Sequence, residues 1–337
     1  MPVDVAPHLQ GGVFVLYDEA VASGAGEIVA ALSGVKGCLG LEVSEAVKSM
    51  DTVLMICRSM LEAGVERSDT LLCIGGGITS DIGGFAASIY KRGIPYINVP
   101  TTLLSQVDAG IGGKNGVNFG GYKNMLGTIV QPVFTFVCPA FLGTLPRREM
   151  LCGIAEMLKT FLLVDEGLYS DAVSLIADEM PSRTKTFSPE KRSKKFCPTP
   201  ADISSLVLKA AEIKASVVRE DPYEKGRRAI LNLGHTFAHA IESLAAAKGD
   251  DIAHGEAVAM GIVLAARLGD RLGGTALEPR IRGDFGRIGL PVECPYGLAD
   301  MAPAMANDKK GSRFVLLEAI GKPYIKEISV EEVLGLL

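Results

Sequence analysis

The chain has 337 residues, of which 48% are hydrophobic and 22% charged, and a formal net charge of −5. That length exceeds one ordinary core and predicts two domains, and the composition is that of a water-soluble globular protein. The acidic balance argues against nucleic acid as a partner, and no apolar run approaches the ~20 residues that cross a bilayer.

The pattern alternates up to about residue 140. Val13–Tyr17 reads as a buried strand, followed by a helix over 19–31 and another over 44–64. Thr70–Ile74 is a strand that runs directly into Gly75, Gly76 and Gly77, with a helix at 78–90 and a strand at Pro95–Val99 behind it. Strands alternating with helices predict a doubly wound, Rossmann-like parallel sheet, with Val133–Val137 as its last strand. After Pro146 helical periodicity takes over, at 147–177, 202–219, 227–247 and 255–273. Arg313–Leu317 and Tyr324–Ile328 then read as a hairpin. The expected organisation is an α/β domain over 1–145 and a mainly helical domain over 146–337. Residues 181–200 hold four prolines and six Lys or Arg and read as a solvated loop. The first five residues lack the basic-then-apolar pattern of a signal peptide. Seven scattered cysteines without a C-x-x-C pair fit reduced thiols, so the expected location is the cytoplasm.

Three glycines after an apolar strand let the backbone approach a ligand, and the helix behind them offers N–H groups and a positive dipole end to a pyrophosphate. The motif here is G-G-G-x-x-x-D, ending at Asp81, rather than the usual G-x-G-x-x-G. A tight turn with no ligand would use the same glycines. Asp18, ending the first strand, can grip a ribose hydroxyl or cap the helix that follows. Downstream, Thr101, Thr102 and Asp108 follow the next strand end. Lys114 comes after two glycines, and Lys123 and Asn124 lie in a second Gly-rich loop. Two glycine-rich basic loops suggest phosphate on both cofactor and substrate.

The protein has four histidines, and three fall within 235–254. His235 and His239 are four apart on one helical face, so either or both could ligate an ion. His254 stands just before the next helix with Glu256 beside it. Glu156 is a carboxylate in an otherwise apolar helix and needs a partner. Two histidines and a carboxylate with an open position would make a catalytic zinc site; hydrogen-bonded core histidines are the plainer alternative. Lys159, Lys214, Arg228, Lys309 and Lys310 add positive charge around this end.

Taken together, the segments GGGITSDIGGFAASIYKRG (75–93), VPTTLLSQVDAGIGGKNGVN (99–118), YKNMLGTIVQP (122–132), GIAEMLKT (153–160), DPYEKGRRAILNLGHTFAHAIE (221–242), HGEAVAMG (254–261) and DKKGSRFVLLEAIG (308–321) resemble the 3-dehydroquinate synthase family of sugar-phosphate cyclases. The resemblance implies that Glu156, His235 and His254 bind one divalent metal, zinc or cobalt, and that His239 faces substrate instead. It implies NAD contacts at Asp18, Glu45, Lys48, Gly76, Gly77, Asp81, Thr101, Thr102 and Lys123, with Asp108 near the nicotinamide. Lys114, Asn124, Asn232, His239 and one of Lys309 and Lys310 would hold the substrate phosphate. Arg92 would join from a second subunit, which implies a homodimer. Lys159, Lys214 and Arg228 would surround the substrate's carboxylate and hydroxyls. The implied reaction turns 3-deoxy-D-arabino-heptulosonate 7-phosphate into 3-dehydroquinate and phosphate by transient oxidation, elimination, re-reduction and intramolecular aldol. The rivals are a metal-containing NAD-dependent dehydrogenase of polyol or glycerol type, another sugar-phosphate cyclase, and a non-catalytic scaffold. Tyr122 and Ala238 stand where the family commonly has glycine.

Overall fold

The computed structural model describes residues 5–9, 11–179, 200–307 and 313–337. They fall into two compact units, Met1–Leu145 and Pro146–Leu337.

The first unit runs β1 (Val13–Asp18), α1 (Ala22–Ala30), β2 (Val35–Leu41), α2 (Met50–Glu62), β3 (Thr70–Gly75), α3 (Gly77–Ile89), β4 (Tyr96–Pro100), β5 (Lys114–Phe119), β6 (Tyr122–Ile129) and β7 (Phe134–Thr135). Five strands form one sheet in the order β2-β1-β3-β4-β7, every pair parallel. The expected doubly wound sheet is therefore present. β3 is buried along its whole length, as a central parallel strand with both faces covered must be. The period-two alternation sorts its residues: Leu71 and Cys73 join Phe14, Leu16, Ile56 and Ile82 on one face. Leu72 and Ile74 join Val13, Val15, Ile28 and Ile97 on the other.

Three features depart from expectation. β2 is an edge strand whose run is broken by Lys36, Gly37 and Gly40, so it carries little strand signal. The Gly-rich basic loops at 114–129 are an antiparallel hairpin, β5–β6. Its turn is Gly120-Gly121, both at positive φ (60° and 83°), the two-residue geometry that suits a right-twisted hairpin. Gly127 faces the opposite strand so closely that a Cβ there would lie 2.0 Å from the Asn115 carbonyl oxygen. Finally, the strand expected at Val133–Val137 contracts to Phe134–Thr135.

The second unit runs α4 (Arg147–Leu162), α5 (Glu166–Glu179), α6 (Pro200–Glu220), a 3-10 turn (Arg227–Asn232), α7 (His235–Lys248), α8 (His254–Gly273), α9 (Leu277–Ile288), α10 (Leu298–Asn307), the antiparallel hairpin β8 (Arg313–Ala319) and β9 (Lys322–Glu327), and α11 (Val330–Leu336). α4 is buried at every position from Met150 to Leu162, so it is the central helix of the unit. The helix expected over 227–247 is interrupted at Leu233 and Gly234, where Gly234 takes φ 77°. α9 escapes hydropathy because it buries only Ile281, Phe285 and Ile288, and α10 carries Pro303 inside. The basic segment over 181–199 lies outside the described residues. No described helix is long and apolar enough to cross a membrane.

Candidate active site

In the second unit, one atom each of Glu156, His235 and His254 falls within 4.8 Å of the others. Glu156 comes from α4, and the two histidines are the first residues of α7 and α8. The imidazole Nε2 atoms of His254 and His235 lie 3.2 and 3.5 Å from Glu156 Oε1. Two helix starts converge here because their backbones touch. A Cβ at Gly234 would sit 2.6 Å from the Ile262 nitrogen, and one at Gly261 would sit 2.3 Å from the Gly234 oxygen. Glycine at both positions is thus what lets α7 begin against α8.

The donor chemistry fits a cation. Glu156 is fully buried, and the Lys159 ammonium is ion-paired to its Oε2. Burial would raise the Glu156 pKa, but Lys159, His235 and His254 together hold it well below the usual carboxylate range. Burial and then the Lys159 charge push His235 down to about 3, so its ring is neutral at pH 7. His235 Nδ1 lies 3.2 Å from the Leu233 carbonyl, the partner expected of an Nδ1–H tautomer that turns the Nε2 lone pair toward Glu156. For His254, burial opposes charge, but the Glu156 hydrogen bond and the Glu242 carboxylate prevail and raise its pKa. Glu242 Oε2 stands 3.5 Å from His254 Nδ1. His239 is one turn beyond His235, its ring edge-on with centroids 5.6 Å apart, and outside the three-residue group.

Lys159, Lys214, Arg228 and Asn232, also expected on the substrate side, occupy the same unit. Lys159, Lys214 and Arg228 are all buried, an arrangement costly for cations without a purpose or partner. Arg228 is held by its loop: the Asp221 carboxylate accepts the backbone N–H groups of Lys225, Gly226 and Arg228, and Arg228 Nη1 donates to the Pro222 carbonyl at 2.6 Å. Asn232 Nδ2 donates to Glu224 Oε1 at 2.7 Å. Both line a cavity of about 240 Å³ with Tyr223, Ala229, Arg313, Val315 and Ile325. Glu224 and Arg313 were not among the residues expected from sequence. The available signal for Glu224 was its turn position between Pro222 and Gly226, where it takes φ 56°. Lys309 and Lys310 lie outside the described residues.

In the first unit, the sheet order places β1 between β2 and β3. The chain therefore switches direction at β1 and β3, and the crevice beyond their carboxyl ends is where open α/β sheets bind ligands. Asp18 ends β1, Gly76 and Gly77 follow β3, and Thr101 and Thr102 follow β4, so these five expected contacts share one sheet edge. Asp18 Oδ1 accepts the Ala20 N–H at 2.9 Å, which is the capping role. Lys48 Nζ and Asp81 Oδ2 pair at 2.5 Å, and Glu45 accepts from Asn118 Nδ2 at 2.7 Å. Asp108 sits in a π-turn (Ser105–Ala109), a distortion common at functional positions. Lys114, Lys123 and Asn124 are exposed on the β5–β6 hairpin. Arg92 has φ 68°, in a left-handed run with Lys91 and Gly93.

Comparison with known proteins gives a consistent result. The family described as 3-dehydroquinate synthase N-terminal matches residues 39–152, and its C-terminal counterpart matches residues 153–311. A 3-dehydroquinate synthase from Campylobacter concisus is 40% identical over 302 residues, covering 87% of this chain and 81% of that protein. Among solved structures, ValA, a 2-epi-5-epi-valiolone synthase from Streptomyces hygroscopicus with NAD+ and Zn2+ bound, superimposes with a TM-score of 0.84 at 29% identity, over 98% of this chain and 91% of that one. A glycerol dehydrogenase from Schizosaccharomyces pombe shares the fold alone, at 16% identity and a TM-score of 0.62 over 97% of this chain and 82% of its own.

Proposed function

The chain belongs to the 3-dehydroquinate synthase family, and we propose on that footing that it converts 3-deoxy-D-arabino-heptulosonate 7-phosphate to 3-dehydroquinate and inorganic phosphate. The observation that carries this reading is the Glu156–His235–His254 group, gathered on the fully buried Glu156, with the Lys159 ammonium against it. NAD and a divalent ion, zinc or cobalt, would supply a recycled hydride acceptor and a Lewis acid for the substrate alcohol. Glu156, His235 and His254 would hold the ion; Asp18, Glu45, Lys48, Gly76, Gly77, Asp81, Thr101, Thr102 and Lys123 would hold NAD, with Asp108 near its reactive ring.

The remaining side chains bind and orient. Lys159, Lys214 and Arg228 would face the carboxylate and hydroxyls of the sugar acid, and their burial strengthens each charge–charge contact. Lys114, Asn124, Asn232 and His239 would grip phosphate, with one of Lys309 and Lys310. Holding the phosphate in place keeps its oxygens near the C–H it must deprotonate, so proximity does the work of a separate base. The reading makes the working form a cytoplasmic homodimer in which Arg92 serves the neighbouring subunit. The thiols of the six described cysteines are all unbridged, in keeping with that compartment.

The test is to incubate protein, NAD+, zinc or cobalt and the heptulosonate phosphate, following inorganic phosphate and NADH absorbance together. Phosphate release without accumulating NADH, abolished by a chelator, is expected. NADH accumulating from simple polyols would replace this reading with the dehydrogenase. Absence of both signals would move it to a cyclase for another sugar.

The protonation states give a second expected result. Without an ion, His254 carries a proton because its pKa is raised, whereas His235 is already neutral. Ion binding must displace the His254 proton, so roughly one proton should be released per ion near pH 7, and affinity should rise with pH up to the His254 pKa. Calorimetric titration in buffers of different ionisation enthalpy measures this; no released proton would contradict His254 as a ligand.

A further inference from the structure

We propose that Arg148 is a positioning residue for the metal centre, acting through Glu256 to fix where His254 stands; the proposal rests on the metal-site reading above. Arg148, Cys152 and Glu156 are successive turns of one face of α4, at spacings of four. The first three residues of α8 meet that face in reverse order. Arg148 meets Glu256, Cys152 meets Gly255, and Glu156 meets His254. Each contact is of a different kind, and together they form three rungs about 12 Å from end to end.

The outer rung is a fork. Arg148 Nε donates to Glu256 Oε1 at 2.8 Å, and Nη2 donates to Glu256 Oε2 at 2.7 Å. The same guanidinium reaches Asp251 twice, Nη1 to the carboxylate at 2.6 Å and Nη2 to the backbone carbonyl at 2.7 Å. Glu256 Oε2 also accepts the Ala253 N–H at 2.9 Å, which caps the start of α8. Asp251 and Glu256, three residues before and two after His254, are thereby tied to one planar cation on α4, and Ala253 is tied to it through Glu256. The middle rung leaves no slack: a Cβ on Gly255 would lie 2.3 Å from the Cys152 Cα. The His254 ring is a third exposed and the Glu156 carboxylate is fully buried. Packing alone therefore grips the carboxylate more firmly than the imidazole.

Arg148 is itself 40% exposed, so water screens its charge, and energy from the ion pair is not its contribution. Its contribution is direction, because a fork locks two oxygens in a plane where a lysine offers a single point charge. Partners that contact a ligand directly change metal affinity by about 10–100-fold when removed, and Arg148 acts at one remove from His254, so the lower end of that range is expected.

The experiment uses full-length protein stripped of metal. Zinc affinity is measured by competition with a chromophoric chelator for wild type, Arg148→Gln, Arg148→Lys, Glu256→Gln and the double variant Arg148→Gln/Glu256→Gln. Thermal midpoints of the metal-free forms are recorded alongside, and phosphate release is assayed at limiting and saturating zinc. Each single variant should weaken zinc binding by about 10-fold or more, with the double variant no worse than the singles because they remove one device. Saturating zinc should recover much of the turnover. A lowered metal-free midpoint with zinc affinity within about twofold of wild type would make Arg148 merely structural and overturn the proposal. If Arg148→Gln fails to fold, Arg148→Lys decides, since it keeps the charge and loses the fork. Wild-type protein that binds no stoichiometric zinc would remove the metal-site reading, and the proposal with it.

Discussion

His235→Ala is expected to lose the bound ion and phosphate release together. Three protein ligands and one open position make a catalytic centre, so losing one ligand leaves too few to retain the ion. Of the two histidines, His235 is the more readily committed donor. Its ring is neutral across the physiological range, because burial and Lys159 push its pKa to about 3, so no proton has to leave before it binds. Its Nε2 points at the Glu156 oxygen 3.5 Å away. The alanine variant keeps Glu156 paired to Lys159 and His254, so no buried charge is left alone and the fold should persist. The loss of affinity should exceed the roughly 100-fold upper figure for an outer partner. His239→Ala is the informative contrast, since His239 lies outside the three-residue group: it should keep the ion and lose turnover. Metal content after dialysis, measured by emission spectroscopy and set beside phosphate release, separates the two. Metal-dependent activity retained in His235→Ala would overturn the ligand assignment.

What was legible in the chain followed from strong periodicities. β1 and β3 are apolar runs ended by Asp18 and Gly75, and β4 is one ended by Pro100 and broken only by Asn98; a buried parallel strand writes itself that way. The edge strand β2 does not, because one face is wet and two glycines interrupt it. The β5–β6 hairpin was masked by function-like chemistry: Lys114, Lys123 and Asn124 among glycines look like phosphate loops, yet Gly120 and Gly121 are a hairpin turn. At the metal end, residue type gave the candidates but not their arrangement. The spacing of His235 and His239 treats both alike, whereas the left-handed Gly234 starts the helix at His235 and brings that ring to Glu156 from another helix. Arg148 is not legible in the sequence, because an arginine in the first turn of a helix looks like surface charge. Its partner lies more than a hundred residues away, and no local pattern connects them.

Gly255→Ala is a single-methyl change with a large expected effect on this unit. In most helices the swap helps, since alanine restricts the unfolded chain. Here the new Cβ would lie 2.3, 2.5 and 2.7 Å from the Cα, carbonyl oxygen and carbonyl carbon of Cys152. All three are backbone atoms of the central helix α4 and cannot swing aside. The start of α8 must move instead, and with it His254 on one side and Glu256 on the other. The amides of Gly255 and Glu256 also face the Cys152 sulfur, whose burial raises its pKa to about 11, so the thiol stays neutral in the joint. Overpacking of well-packed sites costs about 1–3 kcal/mol, and a clash with rigid backbone belongs at the top of that range or above. A loss of about 3 kcal/mol corresponds to a fall of roughly 6–12 °C in the melting midpoint of a unit this size. Zinc affinity should fall at the same time, because one of its three ligands, His254, is the residue next to the displaced Gly255. Gly283→Ala is the matched control. It lies within α9, is exposed, and has nothing within 4 Å of its would-be Cβ. That change should stabilise by about 0.5–1 kcal/mol and leave zinc binding alone. Opposite signs from the same substitution in two helices of one unit would show that the α4–α8 contact, rather than helix propensity, holds His254 in the site. Equal effects on stability, or a Gly255→Ala protein that binds zinc normally, would show that the contact yields without moving the ligand.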